Sequence, residues 1–374
     1  MNKTKLISGF IIALTLLSGC TGTTVTNNNP TNNNGSTSTN NNNSTNNQPS
    51  NNGSNSNIKV QATVSTLISN ISSDVSLKTI NDLGLDGKGN LYILDANRFY
   101  KIKLSDNTIK YIHPASKIDV FTLPVFQFES TSFLIDDKNL DTIGLTVPLN
   151  DNALLKISLS PDGEEARNQI NLSYNKTSFG AFTGIVKDSK GNTFICDRNA
   201  KIYKFSQNNL SVFVGGGDNG ITTGKNDGNG KNATFLSPEK IAIDKNDNIY
   251  VADTGNHSIR KITPDANVTT IAGDGLSGDI DSGNNQKAKF NSPKGVAVDN
   301  EGNVYVADTG NNKIKRITPD GTVTTIAGSG SLGNNDGINN SASFYEPSVI
   351  VSDGNNTLYV GDFINKKVRK IEVR

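Results

Sequence analysis

The sequence has no tryptophan, one methionine, two cysteines and two histidines in 374 residues. Two cysteines exclude a disulfide-stapled scaffold. Two histidines, His113 and His257, are too few for the usual zinc site of three or four ligands. A charge imbalance is missing as well: 36 basic residues against 35 acidic ones give +1. Without Lys3 and Lys5 the remainder carries −1, so no surplus exists to neutralise phosphates, and nucleic acid is not an expected partner. No Ser-His-Asp or Cys-His arrangement is apparent. Long apolar runs are absent apart from Leu6 to Leu17. That run is too short to span a bilayer, and it follows two lysines and leads to small residues, which is the layout of a secretory signal over residues 1–20.

The end of that signal, Leu17-Ser18-Gly19-Cys20, resembles a bacterial lipobox. The resemblance implies cleavage before Cys20, acylation of its thiol and new amine, and a lipid anchor at a bacterial membrane, extracytoplasmic in the cell envelope. More than one acyl chain makes such an anchor stable. Residues 21–57 are Asn, Thr, Ser and Gly with two Pro, one Gln and one Val, and carry no charge. Such a stretch cannot bury enough apolar surface to offset its ordering entropy. It is expected to be a disordered tether with an r.m.s. span of roughly 30–40 Å. With Cys20 acylated, Cys196 has no partner within the chain; it stands where stronger copies have Ala252 and Ala307, as a small buried residue would.

What the chain has in quantity is repetition. Ser237–Gly273 returns as Ser292–Gly328 at an offset of 55 residues, with Asp253 on Asp308 and Gly255 on Gly310. A fixed period of this length means stacked or radial units. One copy holds four β-prone runs, Ile241-Ala-Ile243, Ile249-Tyr-Val-Ala252, Ile259-Arg-Lys-Ile262 and Val268-Thr-Thr-Ile-Ala272, parted by Asp, Asn, Gly and Pro turn residues. The first run is apolar throughout, as in a strand covered on both faces. The third alternates apolar and basic, as expected nearer solvent. Four strands graded from dry to wet make one propeller blade.

The lead-in A-x-F-x-x-P, the turn D-x-x-G-N, then Y-V-A-D-x-G-N, I-R-K-I and V-T-T-I-A-G together resemble the NHL repeat. The match is nearly full in two copies and partial in the C-terminal one. The resemblance implies a β-propeller and, for many relatives, a binding role. Basic-apolar pairs at Lys101, Lys156, Lys204, Lys261, Arg316 and Lys370 recur at 55, 48, 57, 55 and 54 residues. The expected fold is therefore all-β: a six-bladed β-propeller of four-stranded antiparallel blades over residues 58–374. The last blade lacks a fourth run after Val-Arg-Lys-Ile-Glu-Val373, while Val64-Ser-Thr-Leu-Ile68 is surplus, so the N-terminal strand is expected to close it.

Candidate sites fall on loops. The face after the second strands gathers Asp95, Asp197, Asp253 with Asn256, Asp308 with Asn311, and Asp362 with Asn365, together with the long inter-blade connections. An aspartate repeated five times argues for a structural turn role, its carboxylate accepting backbone N–H groups of the following turn. Lead-in loops echo Asp227, Asp281 and Asp336 beside Phe235, Phe290 and Phe344; each phenylalanine is expected to plug between blades, and each aspartate to make a turn or to offer an oxygen to Ca²⁺. At the entrance to the first strand, Gly184 and Gly295 keep the channel open, whereas Asp82, Ser132 and Lys240 stand at this place in other copies. Asp82 and Lys240 should face one another across the channel mouth with Glu239 adjacent, either as a rim ion pair or as a ligand site.

Propellers of related appearance include calcium-dependent lactonases and zinc-dependent lyases, so a hydrolase with Ca²⁺ at the channel mouth is the alternative. The leading expectation is a monomeric, non-enzymatic, lipid-anchored module that needs no cofactor and binds a protein or glycan through its long-loop face.

Overall fold

The structure is a computed structural model. It describes residues 60–374 apart from 73–74, 96–97, 112, 115–131, 137–140, 147–152, 160–164, 174–180 and 208, with backbone alone for 70–72, 75, 113–114 and 135–173. The signal, Cys20 and the tether lie outside the described residues.

Each repeat folds into an antiparallel sheet because its turns are chemically fixed. In the best copy Asp299 accepts the N–H groups of Glu301 at 2.9 Å and Asn303 at 2.8 Å. Its other oxygen takes the Asn303 amide at 2.8 Å and the Tyr305 hydroxyl at 3.0 Å. Gly302, at φ +86°, supplies the left-handed step this turn requires. Asp86, Asp188 and Asp244 make the same pair of backbone bonds. The result is a strand pair such as Gly295–Val298 with Val304–Asp308. Both faces of these strands are covered by neighbouring blades, hence their continuous apolar sequence.

Six four-stranded blades are expected from the sequence, and the structure corrects this. Five sheets are regular blades, with Ile80–Leu85, Phe182–Lys187, Ile241–Ile243, Gly295–Val298 and Pro347–Ser352 as innermost strands. Each ends its second strand in a fully buried aspartate: Asp95, Asp197, Asp253, Asp308 or Asp362. The sheet from Ser132 to Ser173 is not a further copy. It has five strands, one of them the parallel His113–Pro114, and its second strand closes on Thr146 instead of an aspartate. The turn that follows, Leu149-Asn-Asp-Asn152, lacks the glycine of the repeat and lies outside the described residues. Two regular blades also carry a short fifth strand, Gly228–Asn229 and Gly337–Ile338.

The C-terminal sheet is completed from the other end of the propeller. Ala62–Ile68 pairs antiparallel with Lys367–Val373, Val64 opposite Ile371. Thr66 Oγ1 donates to Asp336 Oδ1 at 2.9 Å, as Thr270 does to Asp227 and Thr325 to Asp281, both also at 2.9 Å. The strand thus makes the side-chain contact of a native fourth strand as well as the ladder. Between the blades sit Phe235, Phe290 and Phe344, each fully buried with Ala233, Ala288 and Ala342.

Candidate functional site

The repeated aspartates belong to blade-locking clamps. Asp253 Oδ1 accepts the N–H of Leu236 at 2.8 Å, and Oδ2 takes the Asn256 amide at 2.8 Å and Arg260 at 2.7 Å. The backbone partner is thus in the lead-in before the first strand, not in the Thr-Gly-Asn turn that sequence reasoning favoured. Asp308 and Asp362 repeat the bond to Asn291 at 2.7 Å and Tyr345 at 2.8 Å, with Asn311 and Asn365 as amide donors. Asp95 holds Lys78 and Thr79 N–H at 2.7 and 2.6 Å, while Asp197 accepts from Asn199.

Sequence reasoning missed the cations in these clamps. Arg260, Lys315 and Arg369 are fully buried on third strands that the alternating pattern places near solvent. Arg260 joins Asp253 to Asp227 at 2.8 Å, donates to the carbonyls of Thr234 and Asn226, and lies 5.1 Å from the Phe235 ring centre. Arg369 repeats this with Asp362, Asp336, Ser343, Asn335 and Phe344. Lys315 substitutes a point charge, 2.9 Å from Asp279, 3.0 Å from Asp281 and 3.8 Å from Asp308. The lead-in aspartates Asp227, Asp281 and Asp336 are therefore cation partners, their carboxylates already turned to Arg260, Lys315 and Arg369. The signal was present: every basic residue here follows its lead-in aspartate, Asp227, Asp281 or Asp336, by 33 or 34 positions. Burial pushes Asp253 up to about 6 and Asp308 up to about 7, against the pull of their donors.

The channel cluster is different in kind. Asp82, 5% exposed, accepts the hydroxyl of Ser132 and the N–H groups of Phe133 and Leu83, both at 3.0 Å. Lys240 Nζ lies 3.2 Å from Asp82 Oδ2, joining the blade of Ile80 to that of Ile241. Glu239 does not join that pair; it takes Arg198 at 2.7 Å. Gly184 and Gly295 do not hold the channel open. A Cβ on either would come within 2.9 Å of the neighbouring strand, on Ile241 N or Ser348 O, so they permit close approach of innermost strands.

At the long-loop end of the channel lies a cavity of about 200 Å³ lined by Asn81, Arg198, Glu239, Lys240, Lys294 and Ser348, with Phe363 on one side. The side chains of Asn81, Lys294 and Ser348 have no hydrogen bond or ion pair among the described residues. The calcium of a lactonase does not fit here. Asp82 is saturated by donors, Glu239 faces a guanidinium, and the ammonium of Lys240 occupies the centre where a cation would sit. Among the described residues no three His, Cys, Asp or Glu side chains gather as metal ligands. His257 uses Nδ1 to accept the Ser292 N–H at 3.0 Å, and Cys196 is buried with its thiol pKa pushed up by desolvation.

Fold and repeats define a β-propeller. Residues 184–329 match the family described as SMP-30/Gluconolactonase/LRE-like region. Human NHL repeat-containing protein 2 is 40% identical over 92 residues, 24% of this chain and only 13% of that protein's length. A solved protein of unknown function from Bacteroides thetaiotaomicron superposes with a TM-score of 0.65 at 20% identity, over 84% of this chain and 77% of that one. An auxiliary nutrient binding protein from the same organism gives 0.63 at 17% identity, over 84% and 76%. At these identities the structures establish the fold alone. The chain is an NHL-type β-propeller.

Proposed function

We propose that this propeller is a binding module, held at a bacterial envelope by a lipid on Cys20, and that its protein or glycan ligand enters at the long-loop end of the channel. One observation carries the reading: Asn81, Lys294 and Ser348 bring uncommitted polar groups from three blades into one cavity, while the buried cations Arg260, Lys315 and Arg369 are tied into clamps. Cavities with a few convergent polar groups are the usual binding sites of rigid scaffolds. The match to the SMP-30/Gluconolactonase/LRE-like region agrees with binding or lactonase-like chemistry; the saturated carboxylate of Asp82 favours binding.

The test is a glycan and peptide array on the wild type, Ser348→Trp and Asn81→Trp, two fillings of the cavity from different blades. Binding lost in both, with folded circular dichroism spectra, is the expected result. Turnover of a lactone panel with Ca²⁺, abolished by Asp82→Ala or Glu239→Ala, would replace binding by catalysis. Cys20→Ala should move the protein from the membrane to the soluble fraction, and its staying in the membrane would remove the anchor.

A further inference from the structure

We infer that the cavity at the channel mouth selects a ligand with a single carboxylate on a hydroxylated ring, a uronic-acid residue at the end of an acidic glycan; this rests on the binding reading above. The charges are the first ground. Three cations line or border the cavity, Arg198, Lys240 and Lys294, but only two carboxylates face them. Glu239 takes Arg198 and Asp82 takes Lys240, which leaves the ammonium of Lys294 without a counter-ion among the described residues. Lys294 is half-buried at the root of the innermost strand Gly295–Val298, where its main chain is fixed by bonds to Lys240 N at 3.1 Å and Ala307 O at 3.2 Å. A half-buried ammonium on an anchored main chain, with no partner among the described residues, recognises one negative charge.

The remaining wall says what should carry that charge. Asn81 and Ser348 offer donors and acceptors that hydroxyls can satisfy, and Phe363 offers a half-buried aromatic face to ring C–H groups. A volume of about 200 Å³ is below the roughly 300–1,000 Å³ of sites for larger ligands, so one sugar residue is admitted and not an internal stretch of chain. An acidic peptide would meet Lys294 and could bond Asn81 and Ser348 through its main chain, but it brings no flat array of ring C–H groups to Phe363.

The experiment titrates the full-length protein calorimetrically with methyl glucuronide, methyl glucoside and a short glutamyl peptide. The glucuronide should bind about tenfold or more tightly than the glucoside, the effect of one charged hydrogen bond. Lys294→Gln should erase that preference, bringing the glucuronide down to the affinity of the glucoside, and raised salt should weaken only the glucuronide. Equal affinities for the two sugars, both lost in Ser348→Trp, would overturn the anion selection yet leave the mouth as the binding site. Preference for the peptide would assign an acidic protein partner and overturn the sugar. Glucuronide binding untouched by Ser348→Trp and Asn81→Trp, or no binding of any probe, would overturn both readings of the cavity.

Discussion

In the three consecutive blades from Ile241 to Val373 the third strand buries a cation, while in the blades from Ile80 and from Phe182 the same register position is a tyrosine. Arg260, Lys315 and Arg369 stand opposite Val251, Val306 and Val360; Tyr203 and Tyr100 stand opposite Ile195 and Ile93. The aspartate that ends the second strand is common to all five. The difference separates two jobs that the repeat merges. The aspartate fixes the main chain next to it, as Asp95 does for Lys78 and Thr79 with no lysine or arginine bonded to it among the described residues. The cation does something further, tying the third strand to a long lead-in loop through Asp227, Asp279 with Asp281, or Asp336.

The hardest way to break this contrast is to remove residues 60–68, which asks whether a clamp alone can hold a blade. The C-terminal sheet would lose the strand paired to Lys367–Val373, and Asp336 would lose Thr66. Exposed edges recruit other chains. The expected outcome is unfolding or dimerisation, seen by light scattering on a sizing column, and a monomer with an unchanged melting temperature would refute it. Next comes Arg369→Ala, which strands Asp362 in the interior. Breaking a buried pair costs about 3–5 kcal/mol. Tyr100→Phe, at the equivalent position of an unclamped blade, should cost no more than about 1 kcal/mol. Urea unfolding of both variants measures the gap, and equal losses would abolish the distinction.

The same contrast explains how far the sequence could be followed. The period, the buried Ala and Phe of each lead-in, and the closing strand were legible because they follow from apolar patterning and near-identical copies. The clamps were not, because a two-residue alternation cannot tell a solvent-facing Lys261 from an inward Arg260 when both sides of a sheet are covered by neighbours. The sheet from Ser132 to Ser173 was counted as a blade for the opposite reason: it shares the spacing of the copies without their aspartate or turn glycine. At the channel mouth, Asp82 and Lys240 were legible as departures from the repeat, and they meet at 3.2 Å. Lys294 and Ser348 were not, since only the ring's closure brings residues from distant copies together.

A smaller effect sharpens the comparison within the clamped blades. Arg260 reaches its aspartate at 2.7 Å and Lys315 only at 3.8 Å, and burial raises Asp253 to about 6 but Asp308 to about 7, from an ordinary 3.8. A carboxyl raised in the folded state holds a proton that the unfolded chain has released. Its contribution is full below about 4 and is lost as pH rises through about 7. Asp308→Asn should therefore show a smaller drop in urea midpoint between pH 5 and pH 8 than the wild type. Lys315→Arg, with a fork that reaches further, should bring the Asp308 titration down towards that of Asp253, followed by carbon-13 NMR. An unchanged titration would mean that distance to the cation does not set the difference.

The smallest expected effect lies at the channel mouth, and it separates charges that hold the fold from charges left for a ligand. Lys294 makes no side-chain bond among the described residues, so the folded state gains nothing from its ammonium that water does not also give. Lys294→Gln should change the unfolding free energy by less than about 0.5 kcal/mol, as surface substitutions without partners do. Lys240→Gln, by contrast, leaves the carboxylate of Asp82 with neutral donors only and should cost more. If Lys294→Gln destabilised the protein as much as Lys240→Gln, the mouth would be another structural clamp, and the cavity would lose its standing as a site.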